Sequence, residues 1–111
     1  MSEQMIAANG IEICTEAFGN PNDLPILLVM GAASSMLMWR EGFIDKLVAG
    51  GRFVIRYDNR DTGRSSCFDF EQEPYAVSDM AADAIGVLDA YDIESVHAVG
   101  ASLGGFIVQH L

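Results

Sequence analysis

The sequence is poor in cysteine, proline and basic charge, and it contains no long hydrophobic run. Cys14 and Cys67 stand alone, without a C-x-x-C pair or a Cys/His cluster. That leaves no disulfide framework and no metal site to expect, and two free thiols suit a reducing cytosol. Only six Lys and Arg stand against sixteen Asp and Glu, for a net charge of −10. A chain this acidic is repelled by phosphate backbones and anionic lipid heads, so neither nucleic acid nor membrane is expected as a partner. The longest unbroken apolar run, Pro25 to Ala33, falls far short of the ~20 residues that span a bilayer. The N-terminal MSEQMIAANG has neither the basic region nor the apolar core of a secretory signal. A soluble, cytoplasmic protein is expected.

What is present is a globular composition. Half of the 111 residues are hydrophobic and a fifth are charged, which excludes disorder on compositional grounds. Gln4 to Ala8 and Ile11 to Phe18 read as short strands around Asn9-Gly10, a dipeptide that favours a tight hairpin turn. Pro25 to Met30 is apolar on both faces, as a strand covered on both sides of a parallel sheet would be. Ser34 or Ser35 can cap a helix from about Met36 to Ala49. Its stripe of Trp39, Phe43 and Leu47, with Ile44 and Val48, follows the 3.6 period, and Gly50-Gly51 supplies the stop. Arg52 to Tyr57 reads as another strand. Ser78 is the expected N-cap of a second helix reaching Tyr91, with Ala81, Ala84, Ile85 and Leu88 inward and Asp83 and Asp89 on the wet face. Ser95 to Val99 reads as a fifth strand, and Leu103 to Leu111 begins a third helix. This alternation predicts an α/β architecture, a mainly parallel sheet with a small antiparallel N-terminal edge and helices on both faces.

The sharpest chemical signal is Gly100-Ala101-Ser102-Leu103-Gly104, a G-x-S-x-G run between a predicted strand and a predicted helix. A serine nucleophile must project its hydroxyl clear of the sheet, so the chain turns abruptly and Ser102 takes a strained conformation. Gly100 and Gly104, lacking Cβ atoms, let strand and helix approach within that turn. The competing reading is a dinucleotide or phosphate loop. It fails on its glycines, because serine stands where the Rossmann pattern needs glycine and no Gly-Lys-Ser/Thr is present. No cofactor is therefore expected. Acyl transfer also needs two backbone N–H groups aimed at the oxyanion. Leu103, after the serine, can supply one. Ala32, in the Gly31-Ala32-Ala33 run after the third strand, is the choice for the other, although Gly31 could simply end that strand. Topology supports the pairing. The first crossover runs outward to the fourth strand and the second returns past the third, so strands three and five lie side by side.

A general base is not found. His97 lies five residues back along a strand, roughly 16 Å from Ser102 at 3.3 Å per residue. His110 lies eight residues on along a helix, roughly 12 Å away at 1.5 Å per residue. His97 reads as a strand histidine packed under a helix, His110 as a helix-surface histidine. The loop Asp58 to Ser66 packs charges and turn formers together. It reads as structural, with Asp61 and Thr62 capping turns, Gly63 at positive φ, and Asp58 paired to Arg60 or Arg64. Arg60 or Arg64 as a substrate anchor is the alternative.

The runs LLVMGAASS, VIRYDNRDTGRSS, DMAADAIGVLDAYDI and VGASLGG resemble the N-terminal half of an α/β-hydrolase, closest to methylesterases of the aclacinomycin type. The resemblance covers essentially the whole chain. It implies Ser102 as nucleophile, Ala32 and Leu103 as oxyanion donors, and a small-molecule carboxylic ester as substrate. Many relatives have His-Gly where this sequence has Met30-Gly31, which keeps the backbone donor but changes the contacts beside it. The family's acid and histidine come after the elbow, so no positions here match them. The expectation is thus the N-terminal part of a single domain of ~250 residues, ending just past the elbow. The alternative is a truncated, catalytically inactive chain or an interaction module. Either way the fifth strand would be an open apolar edge, favouring self-association.

Overall fold

A computed structural model describes residues 3–31, 35–67 and 76–111. Its strands are β1 (Glu3–Ala8), β2 (Ile11–Phe18), β3 (Leu24–Val29), β4 (Arg52–Tyr57) and β5 (His97–Gly100). They form one sheet in the order β1-β2-β4-β3-β5. The β4, β3 and β5 strands run parallel, while β1 and β2 make the antiparallel edge. Asn9 and Gly10 both sit at positive φ, 51° and 78°, as a two-residue hairpin turn matched to the strand twist requires.

Side chains of the central strands alternate between two apolar cores. Leu27 and Val29 of β3, with Phe53, Ile55 and Tyr57 of β4, face one side. Ile26 and Leu28, with Val54, face the other. Each core needs a cover, and the helices supply it. Helix α1 (Glu41–Ala49) buries Ile44 on the second face. Helices α2 (Val77–Ala90) and α3 (Leu103–Gln109) bury Ala84, Val87 and Ile107 on the first. Among the described residues no helix is long and apolar enough to cross a membrane.

Several sequence expectations need correction. The helix expected from Met36 to Ala49 is broken into a 3₁₀ turn, Met36–Met38, and α1. Ser35 caps the turn, its hydroxyl accepting from Leu37 N at 3.2 Å. The break follows from Arg56, whose Nη1 donates to the carbonyl of Trp39 at 2.7 Å. That carbonyl sits in extended backbone, ψ 95°, so the helix can restart only after Arg40. The guanidinium is held in turn by Glu16 and by the Phe18 ring, 5.1 Å from its centroid.

The second helix starts at Val77, with Ala76 and not Ser78 at the N-cap. The cap function falls to Asp79, whose carboxylate accepts from Ala76 N at 2.7 Å, the acidic half of a capping box. Ile85, expected inward, is exposed, and Asp83, expected in water, is 2% exposed. Asp83 turns inward because Arg60 donates to both of its oxygens, at 2.7 and 2.8 Å, and Asn9 Nδ2 adds a third bond at 2.9 Å. The expected local pairs of Asp58 with Arg60 or Arg64 do not form, since Arg64 reaches Glu3 instead. Finally, β5 is shifted toward the turn, pairing His97–Gly100 with Ile26–Val29, and α3 ends at Gln109.

Candidate active site

Ser102 stands between β5 and α3 with φ 55° and ψ −120°, a region that side chains larger than glycine's rarely enter. Its surroundings dictate the strain. The N–H of Ala101 donates to Val29 O at 3.0 Å, carrying the β3–β5 ladder right up to the turn. Immediately afterwards Gly104 N donates to Ala101 O and Gly105 N to Ser102 O, both at 2.9 Å. Strand and helix are therefore joined with no slack residue, and Ser102 absorbs the whole change of direction. Its hydroxyl makes no capping bond to α3, and the residue is exposed.

The two flanking glycines are required by space. A Cβ at Gly104 would lie 2.0 Å from the carbonyl oxygen of Val29, and one at Gly100 would lie 2.3 Å from that of Gly104. Helix α3 thus rests backbone to backbone on the ends of β3 and β5. Gly31 closes the other side. A Cβ there would come within 3.0 Å of Ser102 Cβ and 3.1 Å of Ala101 O. The loop after β3 and the turn after β5 are accordingly in contact, as the crossover argument expected. Leu103 is the first residue of α3, so its N–H has no intrahelical acceptor. Ala32 lies outside the described residues.

Neither histidine approaches this turn. His97 begins β5, at the opposite end of the strand from Ser102, and is exposed, not packed under a helix. Its Nδ1 sits 2.6 Å from Arg52 Nη2. His110 is the exposed C-cap of α3 and bonds through Nδ1 to Phe106 O at 2.9 Å. Among the described residues no group of three His, Cys, Asp or Glu could hold a metal. A cavity of about 340 Å³ lined by Gln4, Phe53, Tyr91 and Ile93 belongs to the other end of the sheet. Tyr57 has a fully buried hydroxyl with no hydrogen-bond partner among the described residues. Burial, then the Asp83 carboxylate, raises its pKa, so it stays neutral.

Residues that sequence reasoning passed over stand beside the site. Asn59 Nδ2 donates to Met30 O at 2.8 Å, and Asp58 Oδ1 accepts from Met36 N at 2.7 Å. The loop they open does contain the expected turns, with Thr62 Oγ1 donating to Asn59 O at 2.6 Å and Asp61 and Gly63 at positive φ. Nothing in the local pattern distinguished Asp58 and Asn59 from other turn formers.

A family model described as alpha/beta hydrolase fold matches residues 25–111, and the chain belongs to that family. Rhodomycin D methylesterase DauP of Streptomyces sp. strain C5 is 45% identical over all 111 residues, which make up 37% of that relative. Rhodomycin D methylesterase DnrP of Streptomyces peucetius is 46% identical over the same span, again 37% of its length. Among solved structures, epoxide hydrolase A from Mycobacterium thermoresistibile superposes with a TM-score of 0.88 at 29% identity, over 96% of this chain and 33% of that one. A hydrolase from Pseudomonas aeruginosa PA01 gives 0.87 at 26%, over 96% and 39%. The chain thus spans little more than a third of the methylesterases it matches.

Proposed function

We propose that Ser102 is the nucleophile of a serine hydrolase that cleaves a small-molecule carboxylic ester, in the manner of a methylesterase. The observation that carries this reading is an exposed Ser102 on a backbone held at φ 55°, its hydroxyl making no capping bond to α3. Such a conformation costs ~1–3 kcal/mol and persists where the surroundings enforce it, most often at functional sites. The identity to two rhodomycin D methylesterases supports the ester as substrate class.

In the proposed reaction Ser102 Oγ attacks the ester carbonyl carbon while a histidine takes its proton. The N–H groups of Leu103 and Ala32 hold the oxyanion. Collapse breaks the carbon–oxygen bond to the alcohol, which leaves with the histidine's proton, and an acyl ester remains on Ser102. Water then gives a proton to the same histidine and adds to the acyl carbon. The second collapse releases the acid and returns the proton to Ser102. His97 and His110 are too far along their own elements to serve, so the histidine and its carboxylate are assigned to residues outside 1–111.

A fluorophosphonate probe tests the reading. The full protein should be labelled at Ser102, and labelling that persists in Ser102→Ala would sink the assignment. The 111-residue chain alone should show no ester turnover above background. Turnover that Ser102→Ala abolishes would refute the placement of the base.

A further inference from the structure

We propose that Asp58 and Asn59 are positioning residues for the chemistry of Ser102, pinning both ends of the connection that leaves β3 and so holding Gly31 against the serine. The inference rests on the esterase reading above and deepens it. Asn59 takes hold of Met30 O, immediately before Gly31, at 2.8 Å. Asp58 takes hold of Met36 N, where the 3₁₀ turn begins, at 2.7 Å. Arg56 adds a third tether at Trp39 O, 2.7 Å away. Three residues at the end of β4 therefore reach sideways to the neighbouring strand's connection, at positions 30, 36 and 39. Asp58 and Asn59 are each 3% exposed, so water does not compete for these bonds.

The clamp is itself braced from behind. Asp58 N donates to Cys14 O at 2.9 Å, and Asp58 O accepts from Ser65 Oγ at 2.6 Å. Its second carboxylate oxygen accepts from Arg64 N at 3.1 Å. On the far side, a Cβ added at Gly31 would lie 3.0 Å from Ser102 Cβ, so the glycine backbone packs close to the serine with no room for a side chain. A shift of a few tenths of an ångström at Met30 is then passed directly to the spacing between that backbone and the serine. Oxyanion donors act only within a narrow range, about 2.7–3.1 Å from the developing charge. The clamp should consequently serve the transition state more than substrate binding.

The test uses the full protein, the fluorophosphonate probe and a p-nitrophenyl ester. Asn59→Ala and Asp58→Asn, each folded at the assay temperature, should lower the phosphonylation rate and kcat by about 10- to 100-fold while KM stays within about two-fold. Arg64→Ala, in the same loop, should leave all three unchanged, because its side chain only reaches Glu3 at the surface. Variants that react at the parent's rate, or that lose activity through KM alone, would overturn the clamp and leave the esterase reading intact. A parent unlabelled at Ser102 would overturn both. Should neither variant fold, the parent carries the test by NMR. Phosphonylation of Ser102 should shift the Met36 amide and the Asn59 side-chain amide resonances, and unshifted resonances would refute the clamp.

Discussion

Replacing Asp83 by alanine should destabilise the protein far more than any exposed charge change. Asp83 is 2% exposed, and its partner Arg60 is 8% exposed. Two parallel bonds of 2.7 and 2.8 Å join guanidinium to carboxylate, with Asn9 adding a third. Removing the carboxylate breaks a buried bidentate ion pair from one side, a change that typically costs about 3–5 kcal/mol. Against a total stability of about 5–15 kcal/mol this is a large fraction. The Arg64–Glu3 pair is the internal control. Its arginine side chain is 73% exposed, and such pairs contribute about 0–1 kcal/mol. Urea unfolding followed by circular dichroism reads both. Asp83→Ala should lower the midpoint by at least about 1 M, taking about 1–3 kcal/mol per M as the slope, whereas Arg64→Ala should barely move it. The double variant Arg60→Met with Asp83→Leu should recover part of the loss, since two apolar side chains replace the buried ion pair. An Asp83→Ala cost below about 1 kcal/mol would refute the reasoning.

The elbow offers a contrast between adjacent glycines. Gly104→Ala places its Cβ 2.0 Å from Val29 O and should cost at least about 3 kcal/mol, whereas Gly105→Ala, 4.0 Å from its nearest neighbour, should be neutral or gain up to about 1 kcal/mol. Thermal midpoints decide, and equal effects would disprove the close backbone approach. Burial, helped by Glu3 and Asp58, pushes the Cys14 thiol from 9.0 up to about 11. The folded chain then holds that proton more tightly than the unfolded one, so the contribution is complete below pH 9 and is lost as pH rises through about 11. Melting followed from pH 8 to 11 should decline less steeply in Cys14→Ala than in the parent, and identical slopes would contradict the shift.

Much of this fold follows from short-range rules. Asn9-Gly10 can hardly avoid a hairpin turn, a run such as Ile26 to Val29 must be covered on both faces, and Gly50-Gly51 stops a helix. Two of the errors share one cause. The helix expected from Met36 breaks because Arg56, from a strand packed alongside, takes the carbonyl of Trp39. Asp83 is buried because Arg60, 23 residues earlier, meets it across the loop. In both cases a partner distant in sequence outweighed the local helical period, which registers hydrophobicity and not where a charge finds its complement.

The candidate site divides in the same way. Glycine spacing alone marks residue 102 as a turn between strand and helix, since no Cβ can occupy positions 100 and 104 in such a turn. That spacing also places the serine at the sheet's C-terminal end, and the two histidines' distance along their elements excludes them as its base. The crossovers already set the loop after β3 beside the serine, but only the tertiary structure fixes how closely Gly31 meets Ser102 and ties Met30 and Met36 to Asn59 and Asp58. Those contacts join β3, β4 and β5, and the lateral order of strands is decided by crossovers and packing, not by any pattern within a single strand.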